Sequence, residues 1–198
     1  MAKIIPILLF FFLALPSQSR GEQPLEILQG AVDGVISILE DPAYQDPSQK
    51  KVQQKKLWEI IRGIFDFNEM ARSTLARHWK EFTEEQKKEF SDVFGQFLGG
   101  NYLDKIQSGF KGEKVVYLGH ETVSDNKVMV KTKIVRETLD IPVDYRMMFL
   151  NGSWRVYDVK IEGVSLIKNY RAQFHDILIK ESPDTLIKMM RKKVEEKE

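Results

Sequence analysis

Apolar residues at Leu25, Leu28, Val32, Val35, Ile36 and Leu39 recur at three- and four-residue steps, the spacing of a helix with one buried stripe. Pro42 and Pro47 punctuate the next stretch. A second helix is predicted over residues 48–64, burying Val52, Leu57, Ile60 and Ile61. Asp66 stands three residues before Glu69, a capping-box spacing with aspartate as the cap. Thr83 and Gln86 repeat the signal, and the helix they open carries Phe90, Val93, Phe94, Phe97 and Leu98, with Tyr102 and Ile106 continuing the stripe.

Near residue 108 the period changes from helical to alternating. The runs VVYLGH and KVMVKTKIV are rich in β-branched residues and are joined by the turn-forming SDN at residues 124–126. IPVDYRMMFL and WRVYDVKIE flank Asn151-Gly152, a strong hairpin signal. Connections this short join antiparallel neighbours, because parallel ones need long crossovers. A two-residue turn places Phe149 opposite Trp154, Met147 opposite Val156 and Tyr145 opposite Asp158. One face then collects Val143, Tyr145, Met147, Phe149, Trp154 and Val156. The other holds Asp144, Arg146 and Arg155, with Tyr157 and Val159 as apolar exceptions. In the preceding strand Val128, Val130, Thr132 and Ile134 share a face, and Lys127, Lys131 and Lys133 share its reverse. Two closing helices are predicted around residues 165–181 and 183–195, the second announced by Ser182-Pro183. The expected class is α+β: an antiparallel meander of about four strands, its one apolar face covered by the N- and C-terminal helices.

The first residues alter the compartment. Lys3 precedes an apolar run of 13 residues, Ile4 to Pro16, and SQSRG comes after it. A spanning helix needs about 20 apolar residues, so residues 1–20 read as a secretory signal peptide. Residues 21–198 then form a single domain: helical over 22–108, sheet over 114–163 and helical again over 165–197. No cysteine is present, so stability in an oxidising compartment must come from a core and not from disulfides. The formal net charge is +1 and falls to near zero once Lys3 is removed, which gives no sign of a nucleic-acid partner.

Gly163-Val164-Ser165 ends a strand and opens a helix, the order of a nucleophile elbow. Ile167 occupies the place of that motif's second glycine, and the strand belongs to an antiparallel meander. Ser165 therefore reads as a helix cap. His78, His120 and His175 show no metal-ligand or triad spacing, and no phosphate loop appears. Alternation places Asp144 and Asp158 on opposite faces, which argues against a general acid and base pair and for pairing with arginines such as Arg146, Arg155 or Arg171. No catalytic, metal or cofactor site is expected. The remaining signal is large apolar side chains: 12 Phe, 7 Met, 6 Tyr and 3 Trp. By itself such a surplus is more often core than cavity, and composition does not separate the two.

FDFNEMARSTLARHW, FTEEQKKEFSDVFGQFL, NYLDKI, IPVDYRM and WRVYDVKIEGVSLIKNYRAQF together resemble the MlaC-type, or toluene-tolerance, family over about residues 60–187. One departure is Ala76, where the family usually has glycine. The resemblance implies an α+β fold with a lipid pocket between helices and sheet, in a monomeric periplasmic protein. It also implies non-enzymatic phospholipid transfer between an outer-membrane lipoprotein–porin complex and an inner-membrane ABC transporter complex, maintaining outer-membrane lipid asymmetry. On that footing the sheet wall of the pocket is expected from Val128, Val130, Tyr145, Met147, Phe149, Trp154 and Val156. The helical wall is expected from Phe67, Met70, Leu75, Phe94, Phe97, Leu98, Tyr102, Tyr170 and Phe174. Gly95, Gly99 and Gly100 would serve as a hinge or allow close helix packing. A hopanoid- or isoprenoid-binding relative, a ligand-free periplasmic adaptor and a small hydrolase are the alternatives.

Overall fold

The computed structural model describes residues 23–196; the expected leader lies outside them. Helices α1 (Pro24–Glu40), α2 (Lys50–Ile64), α3 (Phe67–Leu75) and α4 (Glu84–Gly109) come first, with short 3-10 turns around Pro42, Pro47 and Ala76–Glu81. Strands β1 (Lys114–Ser124), β2 (Lys127–Val135), β3 (Ile141–Leu150), β4 (Ser153–Ile161) and the two-residue β5 (Val164–Ser165) come next. Helices α5 (Leu166–Leu178) and α6 (Pro183–Glu195) close the chain.

The caps explain several of these starts. Asp66 Oδ1 accepts from the Glu69 amide at 2.9 Å. Thr83 and Gln86 make a reciprocal box, each side chain meeting the other's backbone N–H. Ser182 accepts from the Thr185 amide. Each contact satisfies an amide that a helix N-terminus otherwise leaves without a partner. In α2 the buried face runs through Gln53, Leu57 and Ile64, and Val52 is 46% exposed. The expectation that Val52 is buried is therefore corrected: it lies one step off the stripe. Gln53 takes the inward place and donates to the Ile38 carbonyl.

The sheet is an antiparallel meander in the order β1-β2-β3-β4-β5, the four expected strands plus a short fifth. Asn151 and Gly152 both have positive φ, 51° and 82°, as the twist of a two-residue hairpin demands. Phe149 faces Trp154 and Met147 faces Val156, but then the register slips, and Arg146 faces Asp158 and Tyr145 faces Val159. Tyr157 is the extra residue of a β-bulge. Three expectations change with it. Tyr145 is opposite Val159 and not Asp158. Val159 joins the apolar face instead of being an exception to it. Asp144 and Asp158 share a face, since Asp158 pairs with Arg146, two residues along from Asp144. The ion pairs are Arg146 with Asp158 at 3.8 Å and Lys160 with Asp144 at 3.9 Å.

Buried side chains gather in separate clusters. α3, α4, α5 and α6 enclose an aromatic one, in which Phe90 stacks on Phe94 and both meet Phe174 edge-on. A second lies between the inner face of the sheet and α1, with Val128, Val130, Val143, Met147 and Val156 against Leu28. A third, smaller one joins Leu39, Leu57 and Leu103 of α1, α2 and α4. No helix among the described residues is long and apolar enough to cross a membrane.

Candidate binding cavity

Between these clusters lies a cavity of about 490 Å³, bounded by α1, α2, the C-terminal half of α4 and the inner face of the sheet. α1 contributes Leu28, Val32, Val35 and Leu39, and α2 contributes Trp58, Ile61 and Ile64. Leu98, Tyr102 and Ile106 come from α4; Val143, Tyr145, Val159 and Ile161 come from the sheet. The volume falls within the usual range of small-molecule sites, about 300–1,000 Å³.

Two local features shape this wall. After the Tyr157 bulge, β4 turns Val159 and Ile161 inward, opposite Tyr145 and Val143. On α4, Gly95 and Gly99 let aromatic rings lie directly on the helix. A Cβ at Gly95 would stand 3.2 Å from the Phe67 ring, and one at Gly99 would stand 3.0 Å from the Trp58 ring. Both rings also line the cavity, and they touch each other with centroids 5.4 Å apart. Of the two roles open to these glycines, the contacts describe close packing.

Among the described residues, formal charge on the wall is confined to Lys105, Glu113 and Arg136. Glu113 accepts from the Lys111 amide at 2.6 Å and forms an ion pair with Arg136, whose Nε stands 3.2 Å from Oε1. The amide bond, with the nearby guanidinium adding to it, holds the Glu113 carboxyl below the usual carboxylate value. Lys105 Nζ sits 5.4 Å from the Tyr102 ring centre. Burial pushes the Tyr145 phenol up to about 12, so it stays a neutral hydroxyl at physiological pH.

Five of the residues expected at a pocket line this cavity: Phe67, Met70, Leu98, Tyr102 and Tyr145. Leu75, Phe94, Phe97, Tyr170 and Phe174 lie in the aromatic cluster. Val128, Val130, Met147 and Val156 lie in the cluster under the sheet, and Phe149 and Trp154 pair across the hairpin with centroids 5.4 Å apart. The α1 and α2 residues of the wall were absent from the expected set, as were its three charged groups. The α1 stripe is plain in the sequence, yet periodicity does not distinguish a helix facing a cavity from one facing a core.

Chemistry of the catalytic kind finds no foothold at Ser165. Its side chain is buried, donates to Asp158 Oδ2 at 2.7 Å and accepts from the Lys168 amide at 3.1 Å. His78 and His175 bond each other at 2.9 Å, with Glu81 on the other nitrogen of His78, and neither lines the cavity. Among the described residues no group of three His, Cys, Asp or Glu side chains is placed to hold a metal ion.

A meander sheet and flanking helices that share one apolar cavity define a class, an α+β protein built around an internal apolar space. The MlaC protein family model matches residues 29–192, and the chain belongs to the MlaC family. It is 23% identical to the intermembrane phospholipid transport system binding protein MlaC of Haemophilus influenzae, over 94% of this chain and 89% of that one. It is 22% identical to the toluene tolerance protein ttg2D of Pseudomonas putida, over 89% of this chain and 83% of that one. In fold it resembles the phospholipid-binding protein of Ralstonia solanacearum solved in complex with a phospholipid. That match has a TM-score of 0.76 at 22% identity and covers 88% of this chain and 98% of the other.

Proposed function

We propose that this protein binds a phospholipid by its acyl tails in the cavity and carries it through the periplasm between the outer and inner membranes. The observation that carries this reading is the wall itself: apolar side chains from five helices and the sheet, with formal charge, among the described residues, from only Lys105, Glu113 and Arg136. The names of its relatives in Haemophilus and Ralstonia support the same ligand. The apolar run from Ile4 to Pro16 supports export through a signal peptide. A carrier is needed because each buried methylene is worth ~0.8 kcal/mol, so two tails cost on the order of 20 kcal/mol to expose to water. Moving them from one hydrocarbon environment to another is nearly thermoneutral, which leaves docking to set direction. The partners in this scheme are the inner-membrane ABC transporter complex and the outer-membrane lipoprotein–porin complex. The protein acts as a monomer, without catalysis or cofactor.

The test is organic extraction and mass spectrometry of gently purified protein. A diacyl phospholipid is the expected finding. Extraction that yields no lipid overturns the proposal, and a hopanoid would redirect it to a different ligand class.

A further inference from the structure

We propose that Lys105 and Arg136 form the phosphate-binding mouth of the cavity and favour lipids whose headgroups carry net negative charge, an inference that rests on the phospholipid reading above. The three charged wall residues belong to one rim. Glu113 lies just before β1 and Arg136 just after β2, where Lys114 pairs with Val135, and an ion pair joins them. Lys105 stands one turn before the end of α4, which leads into the same linker. The Lys105 and Arg136 residues are both exposed, so the cavity meets solvent beside them.

An ionised phosphate cannot follow its tails inward, because burying an unpaired charge in an apolar space is prohibitively costly. The lipid therefore sits with its tails against the α1 and sheet walls and its phosphate at this rim. Two cations meet one carboxylate there, and the carboxylate is already engaged. Glu113 holds the Lys111 amide and Arg136 with its side chain only 12% exposed, and its depressed pKa keeps it ionised at neutral pH. The remaining charge is one unit positive, which a phosphodiester balances. A headgroup bearing an ammonium brings a further cation toward Lys105 and Arg136, and the wall's own carboxylate, Glu113, is already engaged; Asp104 and Glu137 are exposed but do not line the cavity. A glycerol headgroup brings no cation.

The experiment offers purified protein vesicles of phosphatidylglycerol and phosphatidylethanolamine in equal amounts with matched acyl chains. The protein is recovered, and the ratio of the two lipids bound is read by mass spectrometry. Because the charges are partly exposed, an enrichment of phosphatidylglycerol of about fivefold or less is expected, falling toward the vesicle ratio in Lys105→Gln and in Arg136→Gln. Lys88→Gln, on an exposed part of α4 away from the cavity, should keep the enrichment. Lys105→Gln leaves the Glu113 ion pair in place, so it remains informative if Arg136→Gln folds poorly. A wild-type ratio equal to that of the vesicles, or an enrichment unchanged by Lys105→Gln, overturns the proposal. Inorganic phosphate that abolishes the enrichment, where chloride of equal ionic strength does not, reassigns the site to free phosphate and overturns it too. Uptake of neither lipid would fell the carrier reading itself, and this inference with it.

Discussion

Ser165 joins sheet to helix through two bonds, one accepted from the Lys168 amide and one donated to Asp158. Asp158 is 2% exposed and also accepts from the Ile167 amide at 3.1 Å. A cap alone is worth about 1 kcal/mol; withdrawing a donor from a buried carboxylate adds a further cost of about 1–3 kcal/mol. Ser165→Ala should therefore lower stability by about 2–4 kcal/mol in urea unfolding while leaving lipid uptake by the folded protein intact. Loss of uptake in a normally folded variant would reopen the nucleophile question. Ala76 is the opposite case. It comes directly after α3 with φ 49° and ψ −114°, a conformation that suits glycine and strains a residue with a Cβ. Ala76→Gly should raise stability by about 1 kcal/mol after allowing for the extra freedom of the unfolded chain, and thermal unfolding will show it.

At the scale of elements, α4 depends on two missing side chains. Alanine ordinarily improves a helix by about 1 kcal/mol over glycine. Overpacking costs about 1–3 kcal/mol, and at Gly99 the new methyl would stand 3.0 Å from the Trp58 ring. Gly99→Ala should destabilise the protein and shift Trp58 fluorescence, whereas Gly30→Ala in α1, with nothing within 4 Å of its added Cβ, should stabilise it. If both variants gain stability, the Trp58 ring does not rest on α4 as described. Much of this level was legible in the sequence. Thr83, Asp66, Ser165 and Ser182 mark helix starts because a cap is a local bond between neighbours, and Asn151-Gly152 fixes its turn for the same reason. The bulge was not legible, because alternation assumes one residue per step on both strands. Its only trace is that Tyr157 and Val159 fall on the wrong face when the strand is counted straight through. Nor does spacing reveal that Phe94 and Phe174 close on each other while Tyr102, packed at the edge of that cluster, also borders the cavity. That depends on which helix lies opposite.

Across the whole molecule, the aromatic cluster and the cavity lie side by side, and α4 runs through both. Phe90, Phe94 and Phe97 are held among Tyr170 and Phe174, while Leu98, Tyr102 and Ile106 border the space. Amide exchange should divide α4 accordingly. Adding lipid to stripped protein should slow exchange across residues 98–109 and in α1, leaving residues 88–97 unchanged. Uniform slowing along α4 would show the two halves to be one cooperative unit. With 26 residues, α4 is about 39 Å long. In mechanical terms it is a beam carried at both ends: its first turns are packed in the aromatic cluster, and its last are tied to α2 through Leu103 and the Gln107 side chain. A beam supported in this way yields by bowing at mid-span, where Leu98 and Tyr102 border the space, and its fixed ends return it to one resting shape. A bulky cargo is met by the middle of the helix, without the chain having to refold between trips.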